Sequence, residues 1–268
     1  MEIKSLGYRT DFIFTRFDGE VIDRGEYIVV RTANNPNYFW GNLLLFKKPP
    51  CKGDYKKWVA AFKKEFTNQQ IYHITLGWDS PEADEGNFSE FVENGYELDK
   101  SIVLSTEIVS LPPKFNEKVE VNVIDSDEDF ETAIKIQIAC GGDHLSKESW
   151  EGFYRKQMTQ YRLMTKDRKG FWFGAYLNKK LVGSLGIYID GEVGRYQIVS
   201  TDPNHQRLGV CSSLVFHSAQ YAFNKMGVKT LVMVADEEYH AAKIYCSVGF
   251  KPTQKQIGLC WWDKEKHN

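Results

Sequence analysis

Two adjacent prolines divide this chain. In "SLPPKFNEK", residues 110–118, Pro112 and Pro113 remove two backbone donors and bias the residues before them to extended conformations. Neither a helix nor a central strand can run through such a segment. The break predicts a boundary between residues 112 and 113, and so two domains, 1–112 and 113–268. A chain of 268 residues is long enough for two domains of ordinary size.

Beyond the break the pattern alternates between strand and helix. "VEVNVI" reads as an edge or half-buried strand, its side chains alternating in character. "DSDEDFETAIKIQIAC" opens with helix caps and acidic residues in its first turn, where the helix dipole favours them. A second helix follows in "GGDHLSKESWEGFYRKQMTQYRLM". "GFWFGAYL" and "LVGSLGIYID" form a hairpin about the polar turn "NKK", and "GRYQIVST" is a third strand. "HQRLGVCSSLV" then winds from a loop into a helix that ends near Met226-Gly227. "TLVMVAD" is apolar through its middle, which suits a central or parallel position. "EYHAAKIYCSVGF" is a short helix ending at Gly249, and "QIGLCWW" is the last strand.

The loop-to-helix stretch carries chemistry. Backbone N–H groups at a helix start have no partner within the helix and point outward, where the dipole adds partial positive charge. The amides from Arg207 through Leu208, Gly209, Val210 and Cys211 to Ser212 can cradle a pyrophosphate without any cationic side chain. Gly209 lets the backbone come close to the phosphates. Cys211 stands where glycine or alanine is the usual choice, yet it keeps its amide, and its side chain is a small hydrophobe. An ordinary helix start is the plainer alternative for a lone glycine loop.

Two motifs together resemble the GNAT (Gcn5-related N-acetyltransferase) superfamily, over residues 118–268. "VSTDPNHQRLGVCSSLV" is similar to that family's strand, Asp-Pro turn and Q/R-x-x-G-x-G/A loop. Gln206 fills the first position, Gly209 the second, and Cys211 departs from the third. "AAKIYCSVGF" is similar to the family's A-x-x-(L/I)-Y-x-x-x-G-F helix end, with Tyr245 at the tyrosine; the asparagine often found six residues earlier is Tyr239 here. The resemblance implies an α/β fold with a mixed central sheet flanked by helices, and acetyl-CoA as cosubstrate. It implies that the main chain of Val199, Ser200 and Thr201 pairs with the pantetheine arm, with one amide polarising the thioester carbonyl. Tyr245 would protonate the departing thiolate as general acid, although an aromatic on an amphipathic helix is also ordinary core. For the general base, Asp143, His144, Glu148, Glu192, Asp236 and Glu237 are candidates beside a water relay. The implied activity is transfer of an acetyl group to a primary amine of a small molecule or peptide, by direct attack in a ternary complex. A non-catalytic acyl-CoA-binding module is the rival, and a longer acyl or aminoacyl group differs only in pocket volume.

The first half echoes the second without its chemistry. "YFWGNLLLF", "KGDYKKWVAAFKKEF", "IYHITLGWDS" and "FSEFVENGYELDKSIVLST" follow the same strand, helix, strand, helix, strand order. Aligning Gly95-Tyr96 with Gly249-Phe250 puts Phe91 on Tyr245, without the hydroxyl. Pro49 and Pro50 in "KKPPCKGDY" take two amides from any phosphate nest. The echo reads as a degenerate GNAT-like repeat, and hence a tandem arrangement.

Bulk properties narrow the partners. A net charge of −2 and a pI near 6.3 offer no long-range attraction for nucleic acid. No apolar run approaches the roughly 20 residues that span a bilayer, and "MEIKSLGYRTDFIF" lacks the basic start and apolar run of a signal peptide. Five scattered cysteines without CxxC spacing, and histidines without HExxH pairing, suit a reducing compartment and argue against a metal site. The expectation is a cytoplasmic, metal-free protein, monomeric or homodimeric.

Overall fold

The computed structural model of the chain describes residues 2–141, 147–237 and 241–265. Two compact units are present, one of residues 1–103 with 254–268, the other of residues 104–253. This division by packing differs from the proline boundary at 112/113, because the final segment packs with the first unit.

The first unit begins with α1 (Leu6–Asp18), β1 (Glu20–Asp23), β2 (Tyr27–Arg31) and β3 (Leu43–Phe46). It continues with α2 (Asp54–Glu65), β4 (His73–Trp78), α3 (Ser89–Glu93) and β5 (Glu97–Thr106). Its strand order is β1-β2-β3-β4-β11-β5, where β11 (Lys251–Trp262) is the last strand of the chain. β3 and β4 are parallel across the crossover helix α2, and β11 pairs antiparallel with β4 from Gly258↔Gly77 to Trp262↔His73. Every residue of β3 and β4 is buried, as expected of strands covered on both faces. Phe46 and Trp58 stack there with ring centroids 3.7 Å apart.

The second unit holds β6 (Glu120–Val123), α4 (Asp127–Ala139), α5 (Lys147–Lys166), β7 (Gly170–Leu177) and β8 (Lys180–Asp190). After these come β9 (Val193–Thr201), α6 (Val210–Lys225), β10 (Thr230–Asp236) and α7 (Ala241–Val248). This is the element order read from the sequence. The strands run β10-β9-β8-β7-β6, parallel only between β9 and β10. As expected, β6 lies at an edge. Ser126 caps α4 by accepting the Asp129 N–H at 3.1 Å. Asn178 and Lys179 both take positive φ, 52° and 64°, the backbone of a two-residue hairpin turn whose twist matches that of its strands.

Neighbouring residues of β9 show how helices cover the sheet. The Tyr196 hydroxyl donates to the Val215 carbonyl in α6, while Gln197 donates to the Tyr161 hydroxyl in α5. Successive strand residues face opposite ways, so α5 and α6 lie on opposite faces of a mixed sheet. Among the described residues no helix is long and apolar enough to cross a membrane.

Candidate functional site

β9 is the element that builds the site. Along its β8 side, Gly186 pairs with Gln197 and Ser184 with Ser200, so Ile198 and Val199 together oppose the single residue Leu185. This is a β-bulge, which re-aims a strand. Ile198 sits in it at φ +48°, a left-handed backbone that costs a residue with a Cβ roughly 1–2 kcal/mol. On its other side β9 pairs with β10 only over Val193–Arg195 against Thr230–Val232. The two parallel strands then part, and the β10-facing main chain of Val199, Ser200 and Thr201 has no ladder partner there among the described residues. Ser200 is buried and its hydroxyl reaches the Ser184 carbonyl at 3.4 Å.

Past Thr201 the chain turns through Pro203–His205. Asp202 caps this turn, accepting the Asn204 N–H at 3.0 Å, with its second oxygen 3.0 Å from His205 Nδ1. The Asn204 N–H, followed by His205, holds the Asp202 carboxyl below the usual aspartate range. Gln206 is extended, Arg207 has φ +61°, and Gly209 has φ +76° at the N-cap of α6. No side chain caps α6. Its first internal bond runs from the Ser213 N–H to the Gly209 carbonyl at 3.1 Å. The amides of Val210, Cys211 and Ser212 therefore precede any acceptor within the helix. Gln206, Arg207 and Leu208 are exposed beside them. Burial pushes the Cys211 thiol up to about 12, so it stays neutral and acts as the small hydrophobe expected of it.

Two residues of the loop have roles the sequence did not disclose. A Cβ on Gly209 would stand 2.5 Å from the Lys114 carbonyl, so glycine is required by chain packing as well as by its φ. The Ser212 hydroxyl donates to that same carbonyl at 2.7 Å, leaving its amide as the group that can face a ligand. Sequence reasoning also missed Cys140 at the end of α4, whose Sγ donates to the Thr201 carbonyl at 3.2 Å. Desolvation raises that thiol above its ordinary value.

Tyr245 lies in α7, which packs on α6 and β10. It is 7% exposed, with its ring edge-on to Phe250 at 6.5 Å. The Phe250 N–H returns to the Tyr245 carbonyl at 3.2 Å past Gly249, whose φ is +116°. Of the base candidates, Asp143, His144 and the side chain of Glu148 lie outside the described residues, as does Tyr239. Glu192 pairs with Lys229 at 2.6 Å before the first residue of β9, roughly 30 Å of strand from Thr201 at about 3.3 Å per residue. It is too far to act there. Asp236 ends β10 and Glu237 follows it, at the carboxyl end shared with Thr201 because the strands are parallel.

The matching stretch of the first unit has the same frame with its openings closed. Gly53, at φ +91°, N-caps α2 as Gly209 does α6. β3 and β4, however, stay paired to Phe46↔Trp78, and the Asp79 N–H extends the ladder to the Phe46 carbonyl at 2.9 Å. The loop is also covered, since the Pro50 carbonyl accepts the Asn87 N–H at 2.6 Å. The Cys51 N–H is taken by Asp54 at 2.8 Å. Phe91 is 1% exposed among Tyr55, Trp58 and Tyr96.

Residues 140–250 match the family model of the acetyltransferase (GNAT) family. No curated protein matches the chain. Among solved structures, a functionally unknown conserved protein from Staphylococcus epidermidis ATCC 12228 is similar, with TM-score 0.78 and 16% identity over 92% of this chain and 95% of that one. A GCN5-related N-acetyltransferase from Kribbella flavida has TM-score 0.66 and 15% identity over 96% of each chain. A tandem GNAT protein from the clavulanic acid biosynthesis pathway has TM-score 0.53 and 12% identity over 79% of this chain and 70% of that one. At such identities the likeness is one of fold, and that fold is a tandem one.

Proposed function

We propose that the protein moves an acetyl group from acetyl-CoA to a primary amine of a small molecule or peptide, a reading supported by the match of residues 140–250 to the acetyltransferase (GNAT) family model. The observation that carries this reading is the parting of β9 from β10 beside an uncapped helix start. One place offers unpaired strand amides to a pantetheine arm and outward helix amides to a pyrophosphate.

In this reading the loop from Gln206 to Ser212 holds the diphosphate and the main chain of Val199–Thr201 holds the arm. The bulge at Ile198 aims an amide at the thioester oxygen, where negative charge develops as the amine attacks. Attack forms the C–N bond, and collapse breaks the C–S bond. The Tyr245 hydroxyl supplies the proton that the thiolate takes, and the amine's proton leaves through Asp236, Glu237 or water. Holding both substrates in one ternary complex supplies much of the rate. The protein is expected to work in the cytoplasm without a metal, and the segment 1–112 to serve as a worn repeat that binds no acyl-CoA.

The test is free-thiol release from acetyl-CoA with a panel of amines. Amine-dependent release supports the transferase. Tight binding of acetyl-CoA with no amine raising thiol release would make the domain a binding module instead.

A further inference from the structure

Asn116 belongs to the stretch set off by the two prolines, 92 residues before the loop it touches. All four of its polar groups are engaged. Nδ2 donates to the Leu208 carbonyl at 2.7 Å and the backbone N–H donates to Ser213 Oγ at 2.9 Å. Oδ1 accepts the Lys118 N–H at 3.0 Å, and the carbonyl accepts the Val119 N–H at 3.1 Å. Two residues earlier, the Lys114 carbonyl receives the Ser212 hydroxyl at 2.7 Å. The stretch thus forms one wall of an open depression of about 570 Å³ whose other wall is Arg207, Leu208 and Gly209.

The bond to Leu208 falls between two left-handed residues, Arg207 at φ +61° and Gly209 at φ +76°. Glycine holds that conformation freely, whereas arginine does so at a steric cost. A short loop with such a residue needs an outside tie to stay in one conformation before its ligand arrives. Without one, apparent affinity falls in proportion to the fraction of molecules in the competent form.

We propose that Asn116 is a positioning residue of the acyl-CoA site. By gripping the Leu208 carbonyl it keeps the loop in the turn that aims the α6 amides outward. The proposal rests on the reading of this loop as the acyl-CoA cradle.

The experiment is calorimetric titration of the full-length chain with acetyl-CoA, paired with steady-state kinetics. Asn116→Ala removes two side-chain hydrogen bonds, the one to the Leu208 carbonyl and the one from the Lys118 N–H. Loss of the first should raise the Kd and the KM for acetyl-CoA about 3- to 10-fold, while kcat at saturating acetyl-CoA is retained. In an Arg207→Gly background the left-handed turn needs no tie, and Asn116→Ala should then cost less than twofold. A purely structural residue would cost the same in both backgrounds, and that result overturns the proposal, as does a Kd for Asn116→Ala within twofold of wild type. If the alanine variant does not fold, Asn116→Asp keeps the acceptor for Lys118, loses the donor to Leu208 and adds a negative charge beside the loop. It too should weaken binding, and unchanged affinity overturns the proposal. A wild-type chain that binds no acetyl-CoA removes the cradle itself, a different and recognisable failure.

Discussion

Phe91 and Tyr245 occupy the same place in two copies of one motif. The Tyr96 N–H returns to the Phe91 carbonyl at 3.0 Å past Gly95, and the Phe250 N–H returns to the Tyr245 carbonyl at 3.2 Å past Gly249. Both glycines are left-handed, at φ +83° and +116°. The two rings differ by one hydroxyl. That hydroxyl is the group the proposed chemistry needs.

Tyr245→Phe keeps the ring and its edge contact with Phe250 and removes only the hydroxyl. Loss of a positioned general acid lowers turnover by roughly 100- to 10,000-fold. A thiolate is a good leaving group, so kcat should fall by about 100-fold, with the KM for acetyl-CoA nearly unchanged. Steady-state thiol release with a responsive amine decides it, and a kcat within threefold of wild type would return Tyr245 to the core. The reverse change, Phe91→Tyr, should add no activity, since β3 and β4 do not part. It puts a hydroxyl where the side chain is 1% exposed, at a cost of about 1–3 kcal/mol if no partner is found.

Gly209→Val should act twice. It forces a β-branched residue to φ +76° and drives its Cβ toward the Lys114 carbonyl, a loss of at least ~1 kcal/mol. Melting temperature and acetyl-CoA affinity should drop together. Cys211→Ala keeps the amide and should bind acetyl-CoA as wild type does. Calorimetry on both variants checks this, and full affinity in Gly209→Val contradicts the cradle.

Asp202 predicts a pH dependence. Its folded pKa lies below the unfolded one, first because the Asn204 N–H donates to it and then because of His205. The unfolded state therefore binds more protons at acid pH. The contribution is whole above about pH 4, the ordinary aspartate range, and is lost as pH falls through the lower folded value. Asp202→Ala should lower the melting temperature at pH 7 and less at an acid pH below about 4. Equal drops at both values would show that the carboxylate's charge plays no part.

Ending the chain at Thr253 should unfold the first unit. Ile257 and Leu259 are 2% and 0% exposed, and burying each such side chain contributes roughly 1.5–3 kcal/mol. The buried Tyr8 hydroxyl would also lose the Ile257 carbonyl that accepts from it at 2.6 Å. Together these approach the 5–15 kcal/mol that holds an ordinary domain. Hydrogen exchange should find the amides of β3 and β4 unprotected in the truncated chain; protection equal to that of the whole protein contradicts the assignment.

The sequence by itself determined what depends on near neighbours. Helix and strand order after Pro113 follows from hydrophobic period, caps and turn residues. The Asn178-Lys179 hairpin, the Asp202-Pro203 turn and the two helix ends, Phe91 to Tyr96 and Tyr245 to Phe250, each lie within a few residues along the chain, where side-chain type acts directly on φ and ψ. Tertiary structure alone decided which distant segments meet. It put β11 against β4, tied Asn116 to Leu208, set Cys140 on Thr201, and zipped β3 to β4 while letting β9 leave β10. Each of these is a hydrogen bond, or the lack of one, between groups far apart in sequence. Backbone donors and acceptors are the same at every residue but proline, so such pairings leave no periodic trace and are settled only when the chain packs.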